Sequence, residues 1–227
     1  MTVHSDSSAQ LGSPGPGETA SSSNTRSQTF RAVREIVETL LLAALIFFLV
    51  RLVVLNFRVD GQSMTPNLDD GQMLLVNRNA YQFLDWQGNR FYPFDPPERG
   101  DIVVFNPPTN SDKPYIKRII GLPGDEVTFE NGKVFVNGVM LEEDYIEDRT
   151  RCGRNDYCDV IVPEGHVYVL GDHRTNSSDS RVFGVVPIEN VIGKAWLSYW
   201  PAEDIGFVPH EEYPEIPNPV LEATPAA

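Results

Sequence analysis

From Ile36 to Leu55 the chain is almost wholly apolar, with an unbroken run from Leu40 to Val50. Twenty helical residues reach about 30 Å, the thickness of the hydrocarbon core of a bilayer. Glu38 and Arg51 lie near the two ends, where a long side chain can reach the interface. A cleavable signal peptide is the competing reading. It would need a small-x-small site after the run, and Phe57, Arg58, Val59 and Asp60 stand there instead. The expectation is a transmembrane helix over residues 35–55 that stays attached. No second run is long enough to span, so a single pass is expected. Arg26, Arg31 and Arg34 flank the amino end, against Arg51 and Arg58 at the other. By a narrow margin this places the amino end in the cytoplasm.

The sequence on either side of this segment differs in kind. Residues 1–29 are mostly Ser, Gly, Pro, Thr, Asn and Ala, with almost nothing to bury, and a disordered cytoplasmic tail over 1–34 is expected. Residues 201–227 carry several Pro and Glu residues and read as a poorly ordered carboxy-terminal tail. Between them lies a globular stretch of roughly 145 residues, enough for a real core. The net charge of −14 argues against a nucleic-acid partner, because phosphate binding needs a basic face. Beyond that it speaks for solubility and says little about substrate.

Past residue 60 no useful 3.6-residue apolar period appears, and the expected fold class is mainly β. Short runs rich in Val, Ile, Phe and Tyr read as strands: Met73–Asn77, Asp101–Asn106, Tyr115–Ile120, Glu126–Glu130, Lys133–Val136, Val167–Leu170 and Val191–Tyr199. Asn131-Gly132 is a strong type I′ hairpin signal, and Asn137-Gly138 marks another tight turn. The aromatic, proline-rich stretch from Tyr81 to Pro97 is either cover for the core or a loop that meets the lipid surface. Cys152 and Cys158 form a C-x5-C pair without nearby His ligands, poorly suited to zinc. A small-loop disulfide, which would require an oxidising compartment, and two free thiols both remain open.

Two residues stand out chemically. Ser63 lies in Gly61-Gln62-Ser63-Met64-Thr65-Pro66-Asn67-Leu68, just past the apolar segment. Gly61 permits backbone angles that other residues resist, and Pro66 restrains the chain beyond the serine. Lys117 follows in Tyr115-Ile116-Lys117-Arg118-Ile119-Ile120. In strand alternation it points with Tyr115 and Ile119, an apolar face that would desolvate its ammonium and lower its pKa. A serine needs a base to become a nucleophile, and a lysine held neutral can serve. A lysine at a strand edge facing water is the plainer alternative.

A third cluster runs Gly171-Asp172-His173-Arg174-Thr175-Asn176-Ser177-Ser178-Asp179-Ser180-Arg181. Taken with Gly61–Leu68, with Arg99-Gly100-Asp101-Ile102-Val103-Val104-Phe105 and with Tyr115–Asp125, in this order behind an anchor, it resembles bacterial type I signal peptidase, the membrane-bound leader peptidase. The resemblance covers about residues 35–200.

The resemblance implies a Ser–Lys endopeptidase that removes signal peptides from exported preproteins, with small residues at the first and third positions before the cut. It makes Ser63 the nucleophile, Lys117 the general base and the Ser63 backbone N–H an oxyanion donor. Ser177 would orient the lysine amine, Asp179 and Arg181 would form a structural ion pair, and Asp172 with Arg118 a second. No metal or organic cofactor is required. The implied fold is an antiparallel β-sheet catalytic domain, shared in part with the self-cleaving Ser–Lys repressors, over residues 56–123 and 169–200. A cap inserted at 124–168 would hold Cys152 and Cys158. The implied location is the bacterial cell membrane, with the catalytic domain on the extracytoplasmic side and membrane lipid as a neighbour. Many Gram-negative members carry at the position of Gly61 a serine whose hydroxyl also serves the oxyanion, and glycine cannot do this. Two rival readings are a self-cleaving Ser–Lys regulator and a non-catalytic membrane-anchored binding domain. The first needs a DNA-binding amino-terminal domain, and the loss of Ser63 or Lys117 would have favoured the second.

Overall fold

Helix α1 runs from Ser23 to Val53 without a glycine or proline to interrupt it. Arg34 and Glu38, one turn apart, pair at 2.9 Å on its surface. Its stretch Thr29–Val53 is long and apolar enough to cross a membrane. The computed structural model describes residues 23–216, apart from 87–88, 95 and 154–156. The chain forms two units that part between Phe48 and Leu49. The bounds of α1 correct the expected helix of 35–55. It begins well inside the stretch read as a disordered tail, since nothing from Ser23 onward breaks a helix; residues 1–22 of that tail lie outside the described residues. It stops short of Leu55 because Val54–Arg58 leaves the helix as strand β1. There Val-Leu-Asn-Phe-Arg gains a ladder of partners, from Val54 opposite Asn77 to Arg58 opposite Met73.

In chain order the remaining strands are β2 (Met73–Asn77), β3 (Leu84–Trp86), β4 (Asn89–Phe91), β5 (Ile102–Phe105), β6 (Tyr115–Gly121), β7 (Glu126–Glu130), β8 (Lys133–Val136), β9 (Val139–Met140), β10 (Val160–Ile161), β11 (His166–Leu170), β12 (Val186–Pro187), β13 (Val191–Trp200) and β14 (Gly206–Phe207), with a short helix α2 (Ser180–Phe183) after β11. The seven segments read as strands all lie among them, with ends moved by a residue or so. The main sheet runs β1-β2-β13-β5-β6-β11-β12, with β14 added to β13, and a four-stranded sheet runs β10-β7-β8-β9. Every pairing is antiparallel. Asn131-Gly132 and Asn137-Gly138 both take positive φ at the two-residue turns β7–β8 and β8–β9, as hairpins of that length require.

The centre of the main sheet is covered on both faces, so β5 is buried at all four positions. Alternate residues of β11 serve different cores. Val167 and Val169 join Val103, Phe105 and Ile119. Tyr168 and Leu170 join Ile120 and, from the second sheet, Val127, Val134 and Val136. A third cluster, with Met64, Leu68, Leu74 and Ile102, plugs the underside of the loop that carries Ser63.

The tail beyond residue 200 is a second correction. Over 201–216 it is an ordered strap. Its β14 pairs with β13, Val208, Tyr213 and Ile216 are buried, and Arg99 Nη1 donates to the Ile216 carbonyl at 2.8 Å. Three well-spaced apolar residues suffice for docking, and average composition hides them among the prolines and glutamates; residues 217–227 lie outside the described set. In the aromatic stretch, Tyr81 is buried and donates to Asp101 at 2.6 Å, whereas Phe94 stands 55% exposed, so its two ends behave differently. The side chains of residues 84–91 lie outside the description.

Candidate active site

The serine loop is shaped before any partner arrives. Gly61 takes φ +96°, and its N–H donates to Asp70 Oδ1 at 2.8 Å. The chain then folds into a tight turn. Thr65 N–H donates to the Gln62 carbonyl, and those of Asn67 and Leu68 donate to the Met64 carbonyl. Met64 and Leu68 drive into the core beneath, which leaves Ser63 on the upper side of the turn.

Strand β6 brings the lysine to it. Lys117 sits opposite Val103 of β5 and is only 3% exposed. Its Nζ lies 2.6 Å from Ser63 Oγ and 2.7 Å from the Ile116 carbonyl oxygen, with the Tyr115 ring 5.6 Å away. Burial lowers its pKa to about 8, while the carboxylates of Asp179 and Asp172 pull the other way. The strand-edge alternative is therefore set aside. A cleft of about 210 Å³ opens beside the pair, with Phe57, Val59, Leu74, Val104 and Ile116 among its lining residues.

The loop after β11 closes the site from a third direction. A Cβ on Gly171 would fall on the Ser177 hydroxyl and the Ser63 carbonyl oxygen, so only glycine allows this approach. Asp179 holds Gly171 in place by accepting its N–H at 3.0 Å. The same carboxylate takes Arg181 Nε at 2.8 Å and Nη2 at 2.7 Å, and caps α2. On the other face of β6, Arg118 donates Nε and Nη2 to Asp172 at 2.9 and 2.7 Å, both side chains fully buried. Forked pairs of this kind fix geometry as well as charge.

Ser177 lies close to the serine loop. Its hydroxyl is buried against Gly171 with no hydrogen-bond partner, and makes none to Lys117. The contacts of the lysine amine are Ser63 Oγ and its own strand's carbonyl. Cys152 and Cys158 are joined as a disulfide.

Several residues that shape the site carry no local signal. Arg174 makes a buried fork to Glu143, at 2.6 and 3.0 Å, from 31 positions away in sequence. Asn67 Nδ2 donates to Asp172 and to the Tyr145 carbonyl, tying the serine loop to the arginine pair. His173 contacts the serine loop directly, donating its backbone N–H to the Ser63 carbonyl at 3.1 Å. Only the polar run 171–181 hinted at any of this, and it named no partner.

An antiparallel β-sheet unit that follows an apolar amino-terminal helix, with a serine and a buried lysine in hydrogen-bond contact, is an arrangement compatible with the class of serine hydrolases. The comparisons with known proteins agree. The family described as signal peptidase, peptidase S26, matches residues 33–200. Probable signal peptidase I-2 of Synechocystis is 38% identical over 180 residues, covering 77% of this chain and 76% of its own. Signal peptidase I of Bacillus caldolyticus is 36% identical over 163 residues, 67% of this chain and 82% of its own. Signal peptidase IB of Staphylococcus aureus strain COL is 31% identical over 187 residues, 75% and 91%. The chain belongs to the signal peptidase family, peptidase S26. It is a serine endopeptidase of the kind that cleaves signal peptides, in a family that is membrane-anchored.

Proposed function

We propose that this protein cleaves signal peptides from exported preproteins with Ser63 as nucleophile and Lys117 as general base. It would do so while anchored by α1, with its amino terminus cytoplasmic and its catalytic unit outside. The observation that carries the reading is the 2.6 Å contact between Ser63 Oγ and a lysine amine that is almost wholly buried. Neutral Lys117 accepts the Ser63 proton as Oγ attacks the scissile carbonyl, and the Ser63 N–H helps to hold the oxyanion. The lysine then protonates the leaving amine, and a water it deprotonates hydrolyses the acyl-enzyme. The apolar cleft beside the dyad would receive the small side chains before the cut. Asp179–Arg181 and Arg118–Asp172 act as supports for the loop and strand. Ser177, with an unpartnered hydroxyl next to the serine loop, is the group available to orient the lysine amine as it changes charge.

The test is a preprotein incubated with the purified, detergent-solubilised protein, with the cut mapped by mass spectrometry. Ser63→Ala and Lys117→Ala are each expected to abolish cleavage and leave folding intact. Lys117→Arg is expected to be equally inactive, because a guanidinium is not neutral in a protein. More than a few per cent of wild-type activity in any of the three would defeat the assignment.

A further inference from the structure

We propose that His173, acting with Thr65, is a positioning residue for the oxyanion donor, because it grips the far side of the same peptide group whose N–H points at the oxyanion. This rests on the reading of Ser63 as nucleophile and extends it. His173 Nδ1 lies 3.0 Å from the Gln62 carbonyl oxygen and 2.9 Å from Thr65 Oγ1. A carbonyl oxygen only accepts, so the proposed grip uses the tautomer with the proton on Nδ1, which donates to it. The Thr65 hydroxyl donates to that oxygen too, at 2.9 Å, and the Thr65 N–H at 3.3 Å. Three donors therefore converge on one carbonyl.

The Gln62 carbonyl and the Ser63 N–H belong to one planar peptide unit and point in opposite directions when it is trans. Fixing the oxygen aims the N–H. Donation to the oxygen also polarises the unit and makes its N–H the stronger donor. His173 holds the next unit as well, since its own N–H binds the Ser63 carbonyl at 3.1 Å. The serine's two flanking peptides are thus both tied to one histidine. Gly61 makes the need greater. It has no hydroxyl to offer the oxyanion, so the backbone N–H of Ser63 carries more of that task.

The far side of the His173 ring meets a carboxylate. Its Nε2 faces Asp148 Oδ2 at 3.6 Å, and that carboxylate accepts the Thr175 hydroxyl at 2.7 Å and the Thr175 N–H at 3.4 Å. On this proposal His173 acts through the Gln62–Ser63 peptide, which its ring contacts.

The experiment compares wild type with His173→Ala, His173→Asn and Thr65→Val in full-length protein. His173→Ala is expected to lower kcat on the order of 10- to 100-fold with KM little changed, the scale of a misaimed donor. His173→Asn, whose amide N–H can stand in for Nδ1–H, is expected to recover most of the loss. Affinity for a peptide aldehyde, which forms a tetrahedral adduct on the serine, should fall in step with kcat/KM. Binding of an uncleaved peptide, measured in the Ser63→Ala background, should not. Equal weakening of aldehyde and peptide, or wild-type kcat in His173→Ala, would overturn the proposal. If His173→Ala does not fold, Thr65→Val decides: kcat and aldehyde affinity falling together supports it, and unchanged values overturn it. The Ser63→Ala protein separates the two readings, because cleavage surviving there removes the nucleophile itself. An inactive Ser63→Ala with a fully active His173→Ala removes only the positioning role.

Discussion

Lys117 carries the pH dependence of the site. Its folded pKa of about 8 lies below the ordinary 10.5 because burial penalises the ammonium. A base must be neutral, so kcat/KM is expected to fall about tenfold per pH unit below an acid limb near pH 8. A limb near pH 10 would show a solvated lysine. The same shift acts on stability with a definite sign. Below about pH 8 the folded protein bears the full cost of a charged buried amine, and that cost disappears as pH rises through 10.5. Lys117→Met should therefore melt at a higher temperature than wild type at pH 7, with the gap closing above pH 10. Gly61 gives a second test at this scale. At φ +96° any side chain there is strained, although the space around it is open. Gly61→Ser and Gly61→Ala carry the same backbone strain, so their difference isolates the hydroxyl. The serine variant is expected to have the higher kcat, and equal kinetics would show that no side-chain donor is used at this position.

Strand β6 places two opposed chemistries back to back. Lys117, opposite Val103, faces the serine, while Arg118, opposite Ile102, enters the ion-pair network with Asp172. One residue of register slip would exchange them, and the buried Ile119 and Ile120 on the two faces guard against it. The strap is the second element that matters here, because Arg118 Nη1 also donates to the Pro209 carbonyl at 3.0 Å. Ile216, 3% exposed, is the strap's last described anchor. Ile216→Ala should cost about 2–4 kcal/mol in denaturant unfolding, as an aliphatic core truncation does. A change below about 0.5 kcal/mol, the size of an ordinary surface substitution, would return the strap to the status of a loose tail.

At the scale of the molecule, the proposed orientation puts the unit that follows the apolar helix on the outer side of the membrane. In sealed cells stripped of their outer layers, external protease is expected to digest the unit beyond residue 60 and spare an epitope placed before Ser23. The reverse pattern would invert the orientation. The Cys152–Cys158 disulfide agrees with an oxidising side.

Periodicity and turn chemistry determined much of this protein without help from tertiary structure. Val- and Ile-rich runs punctuated by Asn-Gly pairs fold as antiparallel strands because the pleat repeats every two residues and the turn needs positive φ. A long apolar run without a breaker is helical for equally local reasons. Three motifs in order named Ser63 and Lys117. Tertiary structure decided what local rules cannot reach. The carboxy end of helix α1 depended on the β2 partner of the next segment, and the order of the strap on a few side chains meeting a distant core. Glu143 became the partner of Arg174, and His173 the clamp on Gln62, through contacts that span 31 and 111 positions. The Ser177 hydroxyl came to lie against Gly171, a neighbour six positions away that no local rule names. A hydrogen bond depends on where two atoms finish in space, and a linear pattern carries that position only when the partners are neighbours.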